Sequence, residues 1–345
     1  MIKKAIVLHI MFIIVCSVGM NACSHSDSDV DLSGIDINME LGRYDQALFA
    51  CRSVDQILEL EKTFPVFHPV YMHNIMPTSG TSNTWTKADF AVDLYKYVSH
   101  PDMDSLYKLT QSKFGDFEKY KKELELAAKH INYYFSDERI ERTYCFVSSF
   151  EFGSVYLEDD HAFAVGLDMY MGRDFEVYPL LDPSRFPSYR VKKFEPQYIT
   201  PNAVKSFLYY KVKKNSAQSF LDEAIYEGKI LYAMDKLLPR LEDSLKIAYL
   251  DGQLEWCIDN EVNIYAYLVE EEVLFSTDRN AYTNKFFNDG PFTTPFGNES
   301  APRAGAWFGW QVVKAYMDKN PEISLEELLN TQDHQKIFRE SKYKP

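Results

Sequence analysis

Four carboxylates fall where a helix should be apolar. Stepping by about 100° per residue, Leu221, Ala224, Ile225, Gly228, Leu231, Tyr232 and Leu238 form one stripe, with Asp235 inside it and Glu227 on its flank. Over 251–275 the stripe is Leu254, Ile258, Tyr265, Leu268 and Phe275, and both Glu261 and Glu272 lie on it. A carboxylate on a buried face needs partners, because an unpaired one costs several kcal/mol. Such groups either serve as acid/base groups in a cleft or hold arginines structurally, with Arg303 and Arg279 as candidate partners. Other chemistry is missing. The eight histidines form no i, i+4 pair and no HExxH, and His68 and His73, around Pro69, have no third ligand in view. No GxSxG elbow, glycine-rich phosphate loop or paired-cysteine clip occurs. No catalytic residue is therefore assigned, and neither a metal nor another cofactor is expected.

The elements that must carry these groups are mainly helical. Helices are expected over 53–64, capped by Ser53 or Asp55 and closed by Pro65, then over 87–99, 102–112 and 115–135. The last is rich in Lys and Glu, as a solvated helix should be. Thr143–Phe150, Ser154–Leu157 and Phe163–Met169 read as strands of a small antiparallel sheet, because their connections are short. Residues 171–199, with Pro179, Pro183, Pro187 and Pro196 among aromatics, read as an irregular loop that wraps a surface. Helices resume at Thr200-Pro201 and continue over 217–238, 251–275, 304–319 and 324–330, the last opening on a Ser324/Glu327 capping box. The run from Gly305 to Val313 is apolar almost all round, and Gly305 and Gly309, four apart, let another helix come close. The class is α+β, mainly α.

The N-terminus gives an address. Lys3 and Lys4 precede an apolar run from Ala5 to Met20 that is too short and wrongly flanked for a transmembrane span, so residues 1–22 read as a signal peptide. Met20-Asn21-Ala22-Cys23 is the bacterial lipoprotein pattern, which makes Cys23 the lipidated N-terminus of the mature chain. Acyl chains contribute about 0.8 kcal/mol per buried methylene, enough for stable anchoring. Residues 23–34 are polar and acidic, an expected tether, and 35–345 is expected to be a single globular domain. With 24 Tyr and 24 Phe the chain can build a large core, and a net charge of −14 argues against nucleic acid as a partner. Cys51, Cys145 and Cys257 remain as an odd set whose disulfide pairing stays open.

Several runs carry a family resemblance: Arg43-Tyr44-Asp45-Gln46-Ala47-Leu48-Phe49, Gly166-Leu167-Asp168-Met169-Tyr170-Met171-Gly172, and Glu227-Gly228-Lys229-Ile230-Leu231-Tyr232 through Asp235 to Leu238-Pro239. Asp278, Pro291-Phe292, the run Arg303 to Val313 and the terminal Ser341 to Pro345 complete it. The chain resembles the GldB family of gliding motility-associated lipoproteins of Bacteroidetes over nearly all its mature length. More distantly it is similar to zincin-like peptidases, which carry HExxH on one helix and a metal-ligating Glu before Gly on the next. Glu227-Gly228 matches the second element, but Ser206 to Lys211 on the preceding helix supplies no histidine, implying a degenerate peptidase-like fold without its metal. The resemblance implies a non-catalytic, palmitate-bearing lipoprotein of the cell envelope, on the outer membrane facing periplasm or surface, that binds envelope proteins or polymers. The alternatives are a hydrolase using Glu227, Asp235, Glu261 and Glu272, or a peptide- or glycan-binding module using residues 171–199.

Overall fold

The computed structural model describes residues 30–76, 86–214 and 219–345. The leader, Cys23 and most of the acidic tether lie outside the described residues. Chain order begins with β1 (Glu40–Gly42), α1 (Tyr44–Ala50), α2 (Val54–Thr63), α3 (Lys87–Ser99), α4 (Pro101–Phe114) and α5 (Glu118–Tyr134). The starts follow capping chemistry: the Ser53 hydroxyl accepts the Gln56 N–H, Thr86 and Asp89 form a reciprocal box, and Pro101 opens α4. α5 buries Leu124, Ala127, Ala128 and Ile131 along one face and turns its Lys and Glu residues outward.

Next come β2 (Arg142–Phe146), β3 (Ser154–Leu157) and β4 (Ala162–Gly166). The sheet order is β1-β2-β4-β3, and the sheet is mixed rather than antiparallel. β1 pairs with β2, and β2 with β4, in parallel; only β3 and β4 run antiparallel. The short connections misled because β4 inserts between β2 and β3, so the chain reverses along the outside and returns beside β2. Every residue of β4 is buried, which suits a strand covered on both faces. The loop after β2 holds Ser149 and Phe150 in left-handed conformations, at φ 56° and 66°. The fully buried Asp168 carboxylate fixes it by accepting the Ser148 N–H at 3.1 Å and the Phe150 N–H at 2.6 Å.

The second half is built on α6 (Ile199–Lys211), α7 (Phe220–Leu237), α8 (Asp243–Ile247), α9 (Gln253–Asp259), α10 (Glu261–Glu270), α11 (Arg279–Phe286), α12 (Ala304–Lys319), α13 (Leu325–Asn330) and α14 (His334–Ser341). α6 begins before the expected Thr200-Pro201, but Pro201 still lies in the first turn, where its missing N–H costs nothing. The helix expected over 251–275 is two helices, α9 and α10, broken at Asn260. α7 and α12 are buried nearly all round and cross at glycine: a Cβ on Gly309 would stand 1.7 Å from the Ala224 carbonyl oxygen. Gly228 answers from the other helix, where a Cβ would meet the Gly309 carbonyl at 2.3 Å. The two backbones touch there.

Candidate functional site

A cleft of about 410 Å³ opens above this crossing. Its floor is Glu227 on α7, and its walls come from α6, from the segment following β4 and from the loop ahead of α12. Arg303 immediately precedes α12 and lies across Glu227, donating Nη2–H to Oε2 at 2.8 Å and Nη1–H to the Ile247 carbonyl at 3.2 Å. Burial loosens the guanidinium's proton, but Glu227, with Tyr209 and Tyr249, more than restores it, and the Arg303 pKa ends above the usual arginine value. Tyr209 points its hydroxyl at the same carboxylate from 3.4 Å, and burial followed by the Glu227 charge raises its pKa. Lys193 donates to Asp289 at 2.7 Å on the facing side, where Asn202 donates to the Tyr170 hydroxyl at 3.0 Å.

Lys205 stands one helical turn before Tyr209 and lines the same cleft. Among the described residues its ammonium has neither an ion-pair nor a hydrogen-bond partner; it lies 5.7 Å from the Tyr209 ring centre. Burial first, then the positive charge of Arg303, lowers its pKa to about 7. Two cleft residues pay a backbone cost: Arg303, at φ 56°, and Ala248, at φ 61°, are left-handed without being glycine. Each such outlier costs about 1–3 kcal/mol and persists only where the surroundings over-determine it.

The four carboxylates singled out from the sequence do not meet. Only Glu227 lines this cleft, with Arg303 as its partner. Asp235, two turns further along α7, accepts from Lys246 at 2.9 Å and from the Trp310 indole N–H at 2.8 Å, with Lys314 at 3.5 Å. Glu261 accepts the Tyr343 hydroxyl at 2.6 Å. Glu272 is exposed and left-handed (φ 53°) on the turn after α10, beside a separate hollow lined by Phe275 and Phe338. The break at Asn260 and the end of α10 at Glu270 remove it from the stripe.

Zincin-like ligation does not fit these residues. Where such a site needs lone-pair donors one turn apart on the helix preceding Glu227, α6 presents Lys205 and Tyr209, and Arg303 already covers the carboxylate. Ammonium and guanidinium groups have no lone pair to give a cation and repel it. Among the described residues no group of three or more His, Cys, Asp or Glu side chains could hold a metal ion. Cys51, Cys145 and Cys257 are separate buried thiols, and His68 is sealed in the core against the Tyr44 hydroxyl at 2.7 Å.

The family model for the gliding motility protein GldB matches residues 25–345. The chain belongs to the GldB family. No curated protein and no solved structure matches it. Membership makes it a gliding-motility lipoprotein of the cell envelope. It also gives the quoted runs a structural reading. In Arg43 to Phe49, Arg43 forks onto the fully buried Asp45 at 3.0 and 2.7 Å, and Gln111 donates to the same carboxylate at 2.7 Å. Three other runs converge on the cleft: Met169 and Tyr170 from the first, Glu227 from the second, Arg303 from the third. Arg190, Lys193 and Lys205 were not foreseen. Only Lys205 left a trace in the sequence, as the i, i+4 partner of Tyr209 on the helix before Glu227.

Proposed function

We propose that this GldB-family protein is a non-catalytic binding lipoprotein: Cys23 carries the lipid at the outer membrane, and the cleft over Glu227 holds an envelope protein or polymer. The convergence of three family runs on one cleft carries this reading. A hydrolase would need a free acid/base pair facing a common space. Here Glu227 is held by Arg303, and Asp235 and Glu261 are engaged elsewhere. The aromatic-proline segment contributes Arg190, Lys193, Phe194 and Tyr198 to the wall of this cleft, and its Arg173, Lys192 and Gln197 border a second hollow beside α8.

The test is site-specific photocrosslinking in intact cells. A benzoylphenylalanine at Tyr209, in the cleft mouth, should give a discrete adduct that the same group at the exposed Leu126 of α5 does not. Absence of any Tyr209 adduct would refute cleft binding. Turnover of a peptide or glycoside by the purified chain, lost on Glu227→Gln, would restore the hydrolase. For the anchor, Cys23→Ser should abolish incorporation of labelled palmitate into the protein.

A further inference from the structure

The cleft is charged against the chain that contains it. The protein carries a net charge of −14, yet Arg190, Lys193, Lys205 and Arg303 face this one space with only Glu227 and Asp289 to oppose them. Both carboxylates are engaged, Glu227 by Arg303 and Asp289 by Lys193, which leaves Arg190, donating to the Arg185 carbonyl, and Lys205, with no partner among the described residues, outside any ion pair. Holding a lysine among other cations is unfavourable in the empty state, and an anion entering the cleft relieves it. The remaining wall is aromatic and apolar: Phe194, Tyr198, Phe287 and Met169. Such a mixture, a mostly apolar hollow with a few convergent charges, can seat one charged group of an envelope protein or polymer together with the apolar atoms next to it.

The geometry points to a ligand held through a single carboxylate, seated on Lys205 between Lys193 and Arg303, with an apolar or aromatic body against Phe194, Tyr198 and Phe287. This rests on the reading of the cleft as the binding site and adds the chemistry of what it binds. A phosphate dianion fits less well, because Glu227 and Asp289 border the same space and repel a second negative charge. Arg190 also lacks an ion pair, but it is exposed and donates to the Arg185 carbonyl at 2.6 Å, so a monoanion matches the one cleft cation left with neither an ion pair nor a hydrogen bond among the described residues.

The seat should be pH-sensitive. Tyr209 shares α6 with Lys205; Glu227 faces it from α7, Arg303 from ahead of α12, Asp289 from the loop after α11, Arg190 and Lys193 from the aromatic-proline segment, and Tyr170 and Tyr198 from the flanking turns. Of these cations Lys205 has its pKa lowered to about 7, and burial also lowers Lys193. A carboxylate bound to Lys205 stabilises its protonated form, so binding above pH 7 takes up a proton and weakens as pH rises.

The experiment uses the full chain in detergent micelles and three probes: N-acetyl-L-phenylalanine, its uncharged amide, and inorganic phosphate. Lysine acylation read by mass spectrometry reports Lys205, and calorimetry reports binding. The acid should protect Lys205 saturably and the amide should not; Lys205→Met should weaken binding at least about tenfold, the loss of one charge-assisted contact. Lys205→Arg should retain binding while flattening its decline between pH 7 and 9, which a purely structural lysine would not do. Equal protection by the amide, equal or better protection by phosphate, or no saturable protection up to about 10 mM acid would each overturn the proposal. A Tyr209 crosslink obtained alongside such a failure would show the cleft right and the carboxylate wrong. If Lys205→Met does not fold, the wild-type footprint and the Lys205→Arg profile still decide.

Discussion

Replacing Gly309 with alanine should destabilise the protein despite alanine's better helix propensity. The new Cβ would sit 1.7 Å from the Ala224 carbonyl oxygen and 2.4 Å from its carbonyl carbon, both backbone atoms of α7. No rotamer can move them aside. Relieving the overlap means parting α7 and α12 by about 1.5 Å, and a gap of even 0.5–1 Å already forfeits a quarter to a half of each dispersion contact. The loss is felt along two helices buried almost all round. Overpacking costs of about 1–3 kcal/mol and above are expected at such sites; alanine returns about 1 kcal/mol of propensity. Because the overlap is with backbone, the cost lies at or above the top of that range, and the net should be a destabilisation of at least about 2 kcal/mol, measured by urea unfolding of the full chain with circular dichroism and tryptophan emission. Gly34→Ala, with nothing within 4 Å of the added carbon, is the control and should stay within about 0.5 kcal/mol. A neutral or stabilising Gly309→Ala would mean that the helices do not touch at this point. The pairing of Glu227 with Arg303 would then lose its support, since Glu227 adjoins Gly228 at the crossing and Arg303 opens α12.

Asp235→Ala should cost about 3–5 kcal/mol, because it leaves Lys246 short of a buried partner and the Trp310 N–H without an acceptor; Asp235→Asn, which keeps an acceptor for the indole, should cost less, and equal effects of the two would contradict this. Stability should fall as pH drops from 6.5 toward 4: burial lowers the pKa values of His68 and His334 to about 4, so the unfolded chain binds more protons in that window. Asp168, raised by burial to about 6, opposes this by losing stability as pH rises from 3.8 to 6, so His334→Gln should flatten the acid limb of a midpoint-against-pH curve and Asp168→Asn should steepen it. Ser324→Ala removes the hydroxyl that caps α13 and should cost about 1 kcal/mol by the same unfolding assay.

The readable parts of this molecule are those set by short-range chemistry. Lys87–Ser99, Ala304–Lys319 and Ser154–Leu157 lie where capping and periodicity put them, and the Ser324/Glu327 box closes as its spacing requires. What sequence spacing could not carry was phase and insertion. A break at Asn260 separates Leu254 and Ile258 from Glu261, the end of α10 at Glu270 separates Glu261 from Glu272, and the insertion of β4 between its neighbours turns an expected antiparallel sheet into a mixed one. Among the charged groups of the cleft, the sequence singled out Glu227 and Arg303. Of its remaining cations, Lys205 sits on α6, while Arg190 and Lys193 come from the end of a one-turn helix (Ser188–Val191) and the turn after it, in a segment whose position is decided by packing at long range.

Two buried ion pairs on α7 separate scaffold from site. Asp235 binds α7 to α8 through Lys246 and to α12 through Trp310, and it does not line the cleft. That is how a polar group earns its place in a core, by fixing the register of three helices. Glu227 and Arg303 look similar in distance and burial, yet they border an open cleft, and Arg303 together with Ala248 holds a left-handed backbone there. A buried pair roughly breaks even against apolar residues of the same volume, so adding backbone strain makes the arrangement unfavourable as scaffold alone. Lys205, unpaired beside it, increases that cost. Strain and a cation lacking an ion-pair partner thus coincide at the cleft, where the proposed anion would sit, whereas Asp235 has neither beside it.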